Sequence, residues 1–157
     1  MISITVSAES IDTSGALAIV HAASDELQQR YGGEGDNAHL DFGELRPPTG
    51  LFLVARNNRH LVGGVGLRSI GEPTLGFAEV KRLWVRPDLR REGIGLMLMK
   101  EVERHARELD YVTIYLETGP AQPEALALYR SNGWIEVDQY PAGAFCHPQA
   151  HWFKKDL

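Results

Sequence analysis

The stretch RREGIG, residues 90–95, sets two arginines and two glycines between a run of strand-forming residues and a run with helical spacing. Those residue types at that junction suit an anion. The first turn of a helix leaves backbone N–H groups without intrahelical acceptors and carries partial positive charge, so a phosphate placed there satisfies both. Gly93 and Gly95 let the backbone approach a ligand closely, and Arg90 and Arg91 add charge. The competing reading is a polar turn in which glycine relieves crowding. A Walker loop is excluded, because it needs GxxxxGK[ST] and no Lys-Ser or Lys-Thr pair follows these glycines. GVGLRS, residues 64–69, matches half of a dinucleotide fingerprint but lies inside a strand signal and opens no helix.

Other chemistry-bearing groups are sparser. Cys146 beside His147 has the makings of a nucleophile and its base, and with His151 of three metal ligands, although a closed site needs a further ligand. No metal site is expected. Arg46 and Arg68 are the right type to grip a carboxylate on an acceptor, although a solvated arginine is the commoner case. Tyr31, Trp134 and Tyr140 either wall a cleft or fill the core.

The elements that must position these groups follow from periodicity. Ile2, Ile4 and Val6 alternate with polar residues as in a half-buried strand. Thr13 or Ser14 can cap a helix whose apolar stripe is Leu17, Val20, Ser24, Leu27 and Tyr31 and which ends near Gly32 and Gly33. Residues 33–50 are polar and rich in Gly and Pro, which predicts an irregular surface segment with one short helical turn. LFLVAR and HLVGGVGLRS flank NNR as a hairpin, and FAEVKRLWV adds a third consecutive strand. A helix over 94–109, a strand at 111–117 and a helix over 123–132 follow, the last opening on Pro123 and stopped by Gly133. WIEVDQ and AHWFKK close the chain as two strands. The pattern predicts one α+β domain over residues 1–157: an antiparallel N-terminal meander, then a strand–helix–strand crossover in a mixed sheet.

Composition narrows the function. The 157 residues are 43% hydrophobic and 24% charged, ordinary for a globular chain. A formal net charge of −5 opposes nucleic-acid binding, which needs a dense basic face. No apolar run approaches the roughly 20 residues of a membrane span. The opening MISITVSAES lacks the basic flank and apolar block of a signal peptide, and the single Cys146 fits a reducing compartment, so the expected location is cytoplasmic.

From about Leu51 to Leu157 the chain resembles the GNAT superfamily of acyl-CoA-dependent N-acetyltransferases. Its signature Arg/Gln-x-x-Gly-x-Gly/Ala is read by Arg90, Gly93 and Gly95, and LETGPAQPEALALYRSNGW resembles the second conserved block. The resemblance implies that the pyrophosphate of acetyl-CoA, as co-substrate, lies on the backbone of Arg90, Arg91, Glu92, Gly93, Ile94, Gly95 and Leu96. It also implies pantetheine along Leu83, Trp84 and Val85, a strand that splays from its neighbour, and a β-bulge near residues 81–84. Arg91 stands where many members have glycine, and Gln122 where many have an asparagine that contacts the cofactor.

The chemistry implied is attack of a neutral primary amine on a thioester. Glu79 lies where the family often has a catalytic carboxylate and is the candidate base, acting through water; an ion-paired strand residue beside Lys81 and Arg82 is the alternative. A backbone N–H of Leu83 or Trp84 can serve the oxyanion. Tyr129 falls at the family's tyrosine acid, with a core aromatic as the alternative. The expected activity is transfer of acetyl from acetyl-CoA to a small amine, amino acid or peptide in a ternary complex. A non-catalytic acyl-CoA-binding or sensing module is the competing function, and assembly as a homodimer is left open.

This reading yields a direct test at the cradle. Acetyl-CoA should raise the melting temperature, because a ligand that binds only the folded state stabilises it by mass action. In Gly93→Val the branched side chain meets both the phosphate and any positive φ, so the shift should vanish in a protein that is otherwise folded.

Overall fold

The computed structural model describes residues 2–32, 41–141 and 149–157. Strand β1 (Ile4–Glu9) leads into helix α1 (Ser14–Tyr31) and a 3-10 turn at Phe42–Leu45. Strands β2 (Leu51–Asn57), β3 (His60–Ser69) and β4 (Phe77–Val85) follow, then helix α2 (Ile94–Glu108), strand β5 (Thr113–Thr118) and helix α3 (Pro123–Ser131). Strands β6 (Ile135–Val137) and β7 (His151–Asp156) end the chain.

Local chemistry sets the boundaries. Thr13 caps α1 by accepting from the Ala16 N–H at 3.1 Å, and Gly32 at φ 73° ends it. The β2–β3 hairpin turns at Asn58, which takes φ 55°. Gly133, at φ 83°, lets the chain leave α3. Strand β5 begins two residues later than expected, because the Tyr111 and Val112 N–H groups still reach Ala106 O and Gly76 O in the turn before it.

The seven strands form one sheet in the order β1-β2-β3-β4-β5-β7-β6. The first four pair antiparallel, as the meander predicts, and β4 pairs parallel with β5. On β2, Leu51, Leu53 and Ala55 face the α2 side, where Ile94, Leu98, Met99, Val102 and Ala106 pack. Phe52 and Val54 face α1. The buried stripe of α1 is Ala16, Ile19, Val20 and Ala23, not the stripe expected from Leu17, Ser24, Leu27 and Tyr31. Small alanines let the helix sit close to the sheet, which turns the larger residues towards its flank.

Two irregularities prepare the site. On β3, Gly64 and Gly66 oppose Trp84 and Lys81, so two steps on β3 meet three on β4. The extra residue makes the expected bulge, with Arg82 at φ 57°. A side chain at Gly63 would put Cβ 2.6 Å from the Trp84 carbonyl, so glycine is required where the strands close up around the bulge. The second irregularity is that β4 and β5 pair only from Phe77–Thr113 to Glu79–Tyr115 and then part. Among the described residues, no helix is long and apolar enough to cross a membrane.

Candidate active site

Past Glu79 the parted strands enclose a cleft of about 470 Å³. Val80 to Trp84 form one wall, Leu116 to Pro120 with Gln122 and Tyr129 the other, and the end of α1 lies across the opening. Leu83 and Val85 lean on the α2-side core, whereas Trp84 packs towards α1.

Beyond the end of β4, before α2, stands the RREGIG turn. Gly93 caps α2 with φ 84°, and its carbonyl accepts from the Met97 N–H at 3.0 Å, so the amides of the first turn have no intrahelical acceptor. A Cβ on Gly93 would meet nothing within 4 Å, which leaves room for a ligand at the helix end. Arg91 and Glu92 are exposed, and Arg91 also takes a left-handed φ of 68°. Ile94 is buried and anchors the turn, Gly95 lies close to Leu128, and Leu96 is half-buried. Arg90 turns back from the cradle: its Nε donates to the Val85 carbonyl at 2.9 Å, and Nη2 donates to Glu26 at 2.5 Å. Gln122 accepts through Oε1 from the Gly119 N–H at 3.1 Å and the Tyr31 hydroxyl at 3.2 Å.

Tyr129 belongs to the core and also borders the cleft. Its ring lies among Trp134, at 5.9 Å between centroids, and Phe153, at 5.7 Å. Its residue also borders the cleft, and no hydrogen bond to its hydroxyl is found among the described residues. Burial pushes the phenol well above its ordinary value, so it stays protonated. In the same wall, Thr118 buries an Oγ1 that has no partner among the described residues. Open amides, a positive-φ glycine facing space and an unsatisfied hydroxyl are what an acyl-CoA would use, so the residues fit that ligand.

Glu79 occupies the point where the strands part, and it is fully buried. Oε1 accepts from Arg68, at 2.9 Å from Nε and 2.7 Å from Nη2, and lies 3.7 Å from Lys81 Nζ. Oε2 accepts a short hydrogen bond from the Tyr140 hydroxyl. Burial, then the adjoining charge of Glu79, pushes the Tyr140 phenol far above its ordinary value. Arg68 also reaches Glu44 at 2.8 Å. Glu79 is thus ion-paired, chiefly with Arg68 and more distantly with Lys81. The same geometry corrects the picture of Arg68 as a solvated cation, since Arg68 is 6% exposed. Arg46 is exposed and pairs with Asp12 at 2.5 Å. Trp134 belongs to the core and Tyr140 to the Glu79 network, whereas Tyr31 borders the cleft.

Two groups escaped the sequence reading. Glu117 lines the cleft, and its Oε2 accepts from Trp152 Nε1 at 3.1 Å. Strand alternation turns it to the face opposite Leu116 and Tyr129; only its place in YLET, out of phase with the apolar residues, hinted at this. Glu26 and Arg30 of α1 pair with each other at 3.7 Å as i and i+4, but their other partners, Arg90, Ala121 and Glu124, lie far along the chain. Cys146 and His147 lie outside the described residues, and His151 pairs with Glu136 at 2.5 Å. Among the described residues there is no group of three potential metal ligands.

Residues 17–134 match the family model described as Acetyltransferase (GNAT) family. The chain belongs to the GNAT family. An IAA acetyltransferase of Azospirillum brasilense is 32% identical over 147 residues, 92% of either chain. A candidate acyl-CoA N-acyltransferase from Klebsiella pneumoniae superposes with a TM-score of 0.79 at 27% identity, covering 98% of this chain and 97% of that one. PaiA N-acetyltransferase of Thermoplasma acidophilum, solved in complex with coenzyme A, superposes at 0.73 with 19% identity over 99% of this chain and 100% of its own. This last likeness is one of fold. The family assignment supports acyltransferase activity at the level of the family.

The Glu79 network carries the prediction of this section. Arg68→Met removes the cation and leaves Glu79 buried without its main partner, so stability should fall by about 3–5 kcal/mol in urea unfolding. A loss within the range of an exposed pair, below about 1 kcal/mol, would contradict the buried arrangement.

Proposed function

We propose that this GNAT protein transfers the acetyl group of acetyl-CoA to a primary amine by direct attack in a ternary complex. The observation that carries the proposal is the parted β4–β5 cleft, with Tyr129 in its wall and the open first turn of α2 following the end of β4. The coenzyme A complex of PaiA supports the choice of ligand for this fold. Arg91, Glu92, Gly93, Ile94, Gly95 and Leu96 would hold the pyrophosphate through their amides, and the free edge of β4 at Leu83, Trp84 and Val85 would line the pantetheine. Gln122, already bonded to Gly119 and Tyr31, shapes the cleft mouth.

Acetyl-CoA supplies the thioester, and the chain supplies three functions around it. A primary amine, with a pKa of about 10, must lose a proton to attack. Glu79 is held by Arg68 and Tyr140, so we assign proton acceptance to Glu117 and keep Glu79 as the anchor of the parted strands. Backbone N–H groups at the Arg82 bulge would face the oxygen on which charge develops. As the C–N bond forms and the C–S bond breaks, the leaving thiolate needs a donor. Tyr129, raised by burial, serves as a hydrogen-bond donor to that thiolate more than as a strong acid, and solvent completes the proton balance. Glu117 and Tyr129 lie on opposite faces of the opening, as base and leaving-group donor must. The acceptor class remains a small amine, amino acid or peptide.

Release of free CoA in the presence of an amine panel tests the activity. In Tyr129→Phe, packing and cofactor binding should persist while turnover falls on the order of 10²-fold. Near-parental turnover would return Tyr129 to a purely structural role. Glu117→Gln keeps an acceptor for Trp152 but loses the base. Its turnover should fall on the order of 10²-fold at neutral pH and converge with the parent as pH nears the amine's own pKa. A ratio that stays constant with pH would show that Glu117 takes no proton.

A further inference from the structure

The last two turns of α1 span the cleft from lip to lip. On the β5 side, Arg30 donates from Nη1 to the Ala121 carbonyl at 2.8 Å and pairs with Glu124 at 2.5 Å. Tyr31 adds to that attachment: its hydroxyl accepts from the Ala121 N–H at 3.0 Å and donates to Gln122 at 3.2 Å. The fit is close, since a Cβ on Gly119 would stand 2.1 Å from the Tyr31 oxygen. On the β4 side, the attachment at the cradle is the ion pair from Glu26 to Arg90 at 2.5 Å. Glu26 and Arg90 are each about one quarter exposed, so solvent and ions reach the pair.

The asymmetry matters because of what Arg90 adjoins. Its Nε is tied to the end of β4 and its Nη2 to Glu26, which turns the guanidinium back although Arg90 stands only three residues before Gly93, the cap of α2. A diphosphate seated on the amides of that first turn would compete with the Glu26 carboxylate for the charge of Arg90. We infer that Glu26 is a positioning residue acting through Arg90: its carboxylate is an internal anion that a diphosphate must displace before acyl-CoA seats fully. The inference rests on the acyl-CoA reading above. Displacement opens the β4 side alone, since Arg30 and Tyr31 keep α1 tied to the β5 side. The apparent affinity is then the intrinsic affinity multiplied by the fraction of molecules in which the Glu26–Arg90 pair is open.

The test compares two thioesters on the parent, Glu26→Gln and Glu26→Ala, with folding checked by thermal melts. Acetyl-CoA carries the diphosphate; S-acetylpantetheine has the same thioester and arm without it. In both variants the Kd for acetyl-CoA should fall by about 2- to 6-fold, the range expected of a partly exposed ion pair. The Kd for S-acetylpantetheine should stay unchanged. Unchanged or weaker acetyl-CoA binding in the folded variants would overturn the inference, as would equal tightening of both ligands, which a merely loosened helix would produce. A parent that fails to bind acetyl-CoA would overturn the cofactor reading itself, and this inference with it.

Discussion

A sheet that parts between two of its central strands leaves backbone groups unpaired, and something must stop the parting from spreading into the core. In this protein the last paired rung is Glu79 with Tyr115, and across β3 the residue opposite Glu79 is Arg68. The buried carboxylate therefore sits where three strands meet, held by Arg68 from one side and by Tyr140 from the other. Burying such a pair costs desolvation free energy, so its net worth to stability is modest while it is intact. Its value is positional. With one partner missing the remaining charge has no solvent to turn to, which makes this rung a sharp boundary between closed sheet and open cleft. At the Arg82 bulge, three residues on, β4 shifts register against β3 and then pairs with it again at Trp84 and Val85, so the freed edge is the one that faced β5.

From this boundary the two faces of the opening take different characters. On the α2 side, Leu116, Phe153, Trp134 and the ring of Tyr129 continue the core, so a phenol there is desolvated and keeps its proton. On the other side, Glu117, Trp152, Tyr115 and Tyr140 form a polar and aromatic surface beside the Glu79 network, with Tyr115 and Tyr140 at 5.5 Å. In the proposed reaction, a group held between them would meet the Tyr129 phenol on one face and the Glu117 carboxylate on the other. Strand alternation alone produces that division, because adjacent residues of β5 point to opposite faces.

What could be read from the sequence is what depends on near neighbours. The cradle was legible because a helix start and a left-handed glycine are local events, and Gly93 takes the positive φ that RREGIG suggests. The antiparallel meander, the crossover and the bulge followed from alternation and from a family likeness that also located Tyr129. The role of Glu79 was not legible, because whether a strand carboxylate faces water or an arginine depends on Arg68, eleven residues away, and on Tyr140, sixty-one away. The burial face of α1 was missed for a different reason. Ala16 and Ala23 carry little hydrophobic signal, yet their small size sets how closely the helix approaches the sheet.

The charge of the chain sharpens the demand on the cradle. A protein of net charge −5 repels a multiply anionic ligand at long range, and at physiological ionic strength that repulsion fades over a Debye length of about 8 Å. Attraction must therefore be built at contact range. Backbone amides at the start of α2 meet this need without adding a mobile cation, and their direction is fixed by Gly93 and by the burial of Ile94. Arg90 is the side chain that would add full charge there, yet it is tied to the Val85 carbonyl and to Glu26. Under the proposed reading, the amide dipoles would provide the geometry while the tethered Arg90 would set how much side-chain charge reaches the phosphate.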